Sequence, residues 1–193
     1  MENFDYSSEI HNLINSSIEE IRKSTSLVDF INASISEIVK SIQSGHKLII
    51  FGNGGSAADA QHIAAELIGR YKIERKSIPA ISLTTDSSIL TSLSNDYSFD
   101  DVFSRQCESL VNQGDVVLGI STSGNSTNVL EGLKTSKSKG AVTIGLLGND
   151  GGKINDIVDI SITIDSKNTA RIQEIHRIFY HIICELVEKE LSH

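Results

Sequence analysis

Tryptophan is absent from this 193-residue chain, Pro79 is its one proline, and aromatic residues make up only 5%. Ile, Leu, Val and Ala must therefore fill the core. Cys107 and Cys184 are the only cysteines, too few and too far apart for a disulfide framework or a cysteine metal cluster, which fits a reducing cytoplasm. No apolar run approaches the ~20 residues that a bilayer crossing needs, so no membrane partner is expected. The acidic, polar start, Met1 to Tyr6, lacks the pattern of a signal peptide. Basic residues are also scarce: 17 Lys and Arg against 25 Asp and Glu leave a formal net charge of -8. This argues against a nucleic-acid surface, which demands clustered cations. It does not exclude a small anion bound by helix ends and hydroxyls. With 39% hydrophobic content, the length suits one well-buried domain rather than two.

The chain is organised around the stretch from Leu48 to Leu67. Leu48-Ile-Ile-Phe51 reads as a short buried strand, Gly52-Asn-Gly-Gly55 as a turn, and the alanine-rich run from Ser56 as a helix. Ahead of it, Ile10, Leu13, Ile14, Ile18 and Ile21 recur at helical spacing. Val28, Ile31, Ile35, Ile38, Val39 and Ile42 do so again after a Ser/Thr break at Ser24 to Ser26, and Gly45 reads as a stop. This leading region carries more apolar face than one short sheet needs, so residues 1–45 are expected to take part in oligomerisation.

From residue 47 the pattern alternates. Strands are expected at Leu48–Phe51, Ala80–Leu83, Val116–Ile120, Val142–Leu146 and Ile160–Ile164. Helices are expected at Ser56–Arg70, Ser87–Leu93, Phe99–Val111, Asn125–Lys139 and Ala170–Leu191, with a polar turn at Asn149–Gly152. Short apolar strands between helices indicate an α/β three-layer sandwich with a five-stranded parallel sheet. Such sheets bind ligands where strand order reverses, at the carboxyl ends.

Taken alone, the turn at Gly52 to Ser56 is as readily structural as ligand-binding: it lacks the Lys of a Walker loop and the spacing of a dinucleotide loop. A second junction shifts that balance. The strand Val116–Ile120 runs into Ser121-Thr-Ser-Gly-Asn-Ser126, where hydroxyls and helix N–H groups can hold a phosphate without a basic residue. The same residues are also ordinary N-caps, but two such turns in one parallel sheet favour a ligand site. His62 and Glu66, four residues apart, share a helix face; by default they are an ordinary surface pair. Gln173 and His181 share a face of the last helix. Together the four could offer nitrogen and oxygen ligands to Zn²⁺ or a similar ion, provided the two helices meet. His176 is read as a supporting or surface residue, and His11, His46 and His193 as solvated.

Gly52 to Ala57, Asp59 to Glu66, Asn95-Asp96, Ser121 to Ser126 and Arg171 to His176 with His181 together resemble the phosphoheptose isomerases of the sugar isomerase (SIS) fold. The resemblance spans nearly the whole chain in order. It implies a single SIS domain over residues 1–193, with flavodoxin-like architecture and N-terminal helices. It implies a cytoplasmic homotetramer with one Zn²⁺ per subunit, interconverting sedoheptulose 7-phosphate and D-glycero-D-manno-heptose 7-phosphate for surface glycans such as lipopolysaccharide. Residue by residue, it implies His62, Glu66, Gln173 and His181 as metal ligands. Ser56, Ser121, Thr122, Ser123 and Ser126 would hold the phosphate. Asn53, Gly54, Gly55, Asn95 and Asp96 would line the sugar site, with Glu66 and Gln173 also touching substrate. Aldose–ketose chemistry through an enediol needs a base and a proton shuttle; these are assigned to Glu66 and His181. Some relatives carry an acidic residue where this chain has Ala170. The alternatives are a non-catalytic SIS protein that binds the bacterial replication initiator, or a phosphosugar-sensing domain. Retention of both Glu66 and His181 favours the enzyme.

Overall fold

Short runs of β-branched and aliphatic residues become strands, and longer stretches with apolar residues every three or four positions become helices. A computed structural model describes residues 5–192. Helix α1 (Ser7–Ser24) passes through a 3-10 turn (Thr25–Leu27), at the expected Ser/Thr break, into α2 (Val28–Gln43). There follow β1 (Leu48–Gly52), α3 (Gly55–Ile68), β2 (Ala80–Ser82), α4 (Ser87–Asp96), α5 (Ser104–Leu110), β3 (Val116–Ser121) and α6 (Thr127–Ser138). The chain continues through β4 (Val142–Gly148), α7 (Gly152–Asn155), β5 (Ile160–Ile164) and α8 (Thr169–Leu191).

All strands pair in parallel, in the order β2-β1-β3-β4-β5. Strand order therefore reverses between β1 and β3, the crevice where such sheets take ligands. Successive side chains face opposite layers. Leu48, Ile50, Val116, Leu118 and Leu146 pack with α2, α3 and α8, while Ile49, Phe51, Val117 and Leu147 pack with α5 and α6. Because both faces are covered, the strands read as continuous apolar runs. The expected three-layer α/β sandwich is what forms.

The differences are local. β1, β3 and β4 run past their apolar cores because Gly52, Ser121 and Gly148 still pair with Ile120, Leu147 and Ile164. The helix expected at Phe99–Val111 is divided: Ser98 caps a 3-10 turn (Phe99–Asp101), after which Val102 and Phe103 turn into the core ahead of α5. The polar turn at Asn149–Gly152 leads into the short α7, and α6 starts at Thr127 because Gly124 and Asn125 belong to the preceding turn. Gly45, at φ +84°, ends the α2 segment as expected. Helix α2 buries Ile31, Ile38 and Val39, whereas α1 buries only Ser24 and leaves Ile10, Leu13 and Ile14 more than half exposed.

Three histidines differ from, or add to, the sequence reading. His46 is half-buried, 3.9 Å from the carboxylate of Asp115, rather than simply solvated. His11 is exposed, with Nδ1 2.7 Å from the Ser7 carbonyl. His193 lies outside the described residues. His176 is fully buried, with Nε2 3.0 Å from the Leu147 carbonyl at the end of β4 and Nδ1 without a partner. Burial pushes its imidazole from 6.5 down to about 4, the bond to Leu147 opposing this only in part. The unfolded chain thus takes up this proton at higher pH than the folded chain. The associated stability is complete above the unfolded value of 6.5 and is lost as pH falls towards 4, by about 3 kcal/mol. Urea unfolding of wild type and His176→Gln across pH 4 to 7 checks this: the decline should be shallower in the variant.

Candidate active site

Two strand-to-helix turns sit side by side where β1 and β3 end. At the first, a Cβ on Gly52 would meet the Ile120 carbonyl and the Ser56 Cβ at 2.8 Å each, so only glycine lets β1 lie against β3 above the start of α3. Gly54, at φ +56°, precedes α3 without a capping side chain, and Ser56 is buried in its first turn. At the second, the buried Ser121 hydroxyl lies 3.0 Å from that of Ser126 and 3.5 Å from that of Ser123. Ser126 stands at the N-cap of α6 but makes no capping bond; its hydroxyl turns towards Ser121 instead. Gly124, at φ +64°, packs against the Gly151 backbone with no room for a side chain. The Thr122 carbonyl accepts a bond from Asn149 (2.9 Å). Neutral hydroxyls and uncapped N–H groups at a helix start make an anion site that needs no cation.

The turns are tied together by a pair that sequence reasoning missed. Asn53 Nδ2 donates to Asn128 Oδ1 (2.8 Å), and Asn128 Nδ2 returns the bond to Asn53 Oδ1 (2.9 Å). Asn128 is buried, and its oxygen also accepts the Val129 N–H. An asparagine in the first turn of a helix carries no sequence signal for this; only the neighbouring placement of β1 and β3 reveals it.

Helices α3 and α8 run side by side in the same direction: Gly55, Asp59 and His62 meet Gln173, Arg177 and His181 in order. His62 Nε2 lies 2.9 Å from Glu66 Oε1, and the His62 and His181 rings meet edge-on with centroids 5.1 Å apart. One donor atom from each of His62, Glu66 and His181 lies within 4.8 Å of the others. Around a tetrahedral zinc with bonds near 2.1 Å the donors stand about 3.4 Å apart, a contraction that side-chain rotation supplies. Two imidazoles and a carboxylate are also the donor types such an ion takes, so the triad fits a metal. The buried Tyr180 packs against both histidine rings, at 4.6 Å from His181 and 5.5 Å from His62. Its hydroxyl is 3.4 Å from the buried Asp59 carboxylate, which Arg177 also approaches at 3.4 Å. Burial, reinforced by the Asp59 charge, pushes the phenol up to about 12 and keeps it a neutral donor.

The remaining expected residues are placed more loosely. The Gln173 amide sits over Gly55, where a Cβ would stand 3.1 Å from it. That is the first turn of α3, about 10 Å along the axis from His62. Gln173 thus reaches α3 on the side of its first turn, along the helix from the His62, Glu66 and His181 cluster. Asn95 and Asp96, exposed at the end of α4, bond each other (2.8 Å) and make no side-chain hydrogen bond to either turn among the described residues. No helix among the described residues is long and apolar enough to cross a membrane.

A family model for the SIS domain matches residues 6–148, so the fold and its two hydroxyl- and glycine-lined turns are those of a SIS-domain protein. The phosphoheptose isomerase of Geobacter sulfurreducens is 60% identical over 151 residues, 78% of this chain and 80% of that one. That of Aliarcobacter butzleri is 56% identical over 155 residues, covering 80% of this chain and 82% of that one. The structure of phosphoheptose isomerase from Neisseria gonorrhoeae superimposes with a TM-score of 0.91 at 38% identity, over 96% of this chain and 100% of that one. Within the SIS domains, this chain belongs to the phosphoheptose isomerase family.

Removing the Asn128 amide strands the half-buried Asn53 amide and the buried Val129 N–H. Asn128→Ala is expected to cost about 1–3 kcal/mol in chemical denaturation, whereas Ser123→Ala, on the exposed side of the same turn, should change stability by less than about 0.5 kcal/mol.

Proposed function

We propose that the chain is an aldose–ketose isomerase that interconverts sedoheptulose 7-phosphate and D-glycero-D-manno-heptose 7-phosphate. The observation that carries this is the meeting of Glu66 and His181 from separate helices, with their donor atoms within 4.8 Å. A phosphosugar-sensing domain would need the two hydroxyl-rich turns but not that acid/base pair, and a binder of the replication initiator would not need the pair.

In the ketose-to-aldose direction, Glu66 takes a proton from C1 and returns it to C2, while His181 carries a proton from the C1 hydroxyl to the former carbonyl oxygen at C2. One Glu66 oxygen faces His62; the other makes no hydrogen bond among the described residues, leaving lone pairs for the substrate proton. Ser56, Ser121, Thr122, Ser123 and Ser126 hold the phosphate at the far end of the sugar, so binding energy there orients the reacting carbons. Asn53, Gly54, Gly55, Asn95, Asp96 and Gln173 are assigned to the sugar hydroxyls. His62, Glu66 and His181 would hold one Zn²⁺, which when bound polarises substrate oxygens and offsets negative charge. Gln173, on the same face of α8 as His181, is assigned as the fourth ligand. The reading carries with it a cytoplasmic homotetramer serving lipopolysaccharide or related glycans. The exposed stripe Ile10, Leu13, Ile14 and Ile18 supports residues 1–45 as the region that associates.

An assay with sedoheptulose 7-phosphate, with and without chelator, tests the reading directly. Glu66→Gln should keep the native circular dichroism and lose about 10²–10⁴-fold in kcat; full activity would remove Glu66 as the base. Ser121→Ala with Ser123→Ala should raise KM strongly, and an unchanged KM would place the phosphate elsewhere. His62→Ala should purify with less bound zinc than wild type.

A further inference from the structure

The segment that follows α3, residues 69–79, has no regular structure, yet it is fixed from two sides. Glu188, whose side chain is 1% exposed on α8, accepts three successive backbone N–H groups: Tyr71 at 2.8 Å, Lys72 at 2.7 Å and Ile73 at 3.0 Å. Arg75, with a side chain 4% exposed, brings its Nε to 3.2 Å from the same carboxylate. Its two terminal nitrogens donate to the carbonyls of Glu66 (3.0 Å), Leu67 (2.8 Å), Gly69 (3.2 Å) and Lys76 (3.0 Å). These include carbonyls that a helix end leaves without partners, where a cation also meets the negative end of the helix dipole. Burial disfavours the Glu188 charge, but the three N–H donors and Arg75 outweigh it and hold the carboxyl below its usual range.

The pair therefore reaches both halves of the triad, one directly and one through Tyr71. Arg75 grips the backbone of Glu66 itself. Glu188 lies two turns beyond His181 on α8, and the Tyr71 that it anchors stacks on the His181 ring at 5.8 Å with an interplanar angle of 28°. A buried ion pair is a poor source of net stability compared with apolar packing of the same volume; what it supplies here is a fixed separation between two backbones. We propose that Arg75 and Glu188 are positioning residues that set the spacing of α3 and α8, and with it the geometry in which His62, Glu66 and His181 take a metal. This rests on the metal reading of the triad given above.

The test uses the full chain, with zinc alone as the probe in competition against a chromogenic chelator. Arg75→Lys keeps the charge but not the fork that reaches several carbonyls, and Glu188→Gln keeps the shape but not the charge. Val187→Ala, a buried neighbour on α8, serves as a control for general loss of stability. Arg75→Lys and Glu188→Gln should bind zinc roughly tenfold or more weakly and show lower kcat with little change in KM. Val187→Ala should keep wild-type zinc affinity even at a similar loss of thermal midpoint. Zinc binding by the two variants equal to wild type, or weakened no more than in Val187→Ala, overturns the inference. Should either variant fail to fold, the charge-free pair Arg75→Met with Glu188→Leu replaces it; wild-type zinc affinity there also overturns the inference. If wild type binds no zinc, the metal reading fails by itself. The spacing role then stands if kcat falls in Arg75→Lys and Glu188→Gln but not in Val187→Ala, and falls if it does not.

Discussion

Everything chemical in this chain depends on α3 and α8 lying close together and pointing the same way. The alanines of α3 permit it: Ala60 and Ala64 are buried against the layer that also holds Ile172, Ile175 and Phe179, and small side chains let helix axes approach. A helix has one face towards its neighbour and one towards solvent, and the triad sits at the boundary. Ile63 and Leu67 point into the core, while His62 and Glu66, one residue away from each, emerge beside His181.

The sheet contributes the other half of the site by a different route. Because β1 and β3 are neighbours whose helices leave to opposite layers, their carboxyl ends open into one crevice. Glycine at position 52 brings the strands together, and the Asn53–Asn128 exchange locks the two turns into one rigid unit. The chain thus holds the His62, Glu66 and His181 cluster on helices and a hydroxyl-lined turn on strand ends, each supported by buried polar contacts. Such precision comes from the surrounding shell rather than from the reacting groups themselves.

Much of this was legible before any coordinates. Five buried strands between amphipathic helices are a strong pattern, and β5 appears with the expected bounds. Helix ends were less legible, because Ser98 and the Gly124–Asn125 turn decide them through side-chain bonds that periodicity does not register. Spacing placed His62 with Glu66 and Gln173 with His181, but could not bring the two helices together; the family resemblance supplied that link. The supporting residues were invisible for the same reason. Arg75 and Glu188 are far apart in the chain, and each taken alone looks like a solvated charge. Spacing leaves His176 open between a supporting and a surface place, because nothing in its own neighbourhood announces the Leu147 carbonyl waiting at the end of β4.

The hydroxyl turn at Ser121 to Ser126 contains no cation, and the chain around it carries a formal net charge of -8. Binding and approach are thereby governed by different forces. At contact, short bonds from hydroxyls and helix N–H groups would hold an anion; at a distance, the net charge of the molecule would repel it. Added electrolyte screens the repulsion over about 8–10 Å while leaving those bonds largely untouched. An anionic ligand should therefore be captured faster as ionic strength rises, the reverse of the behaviour of sites that attract phosphates with lysine and arginine.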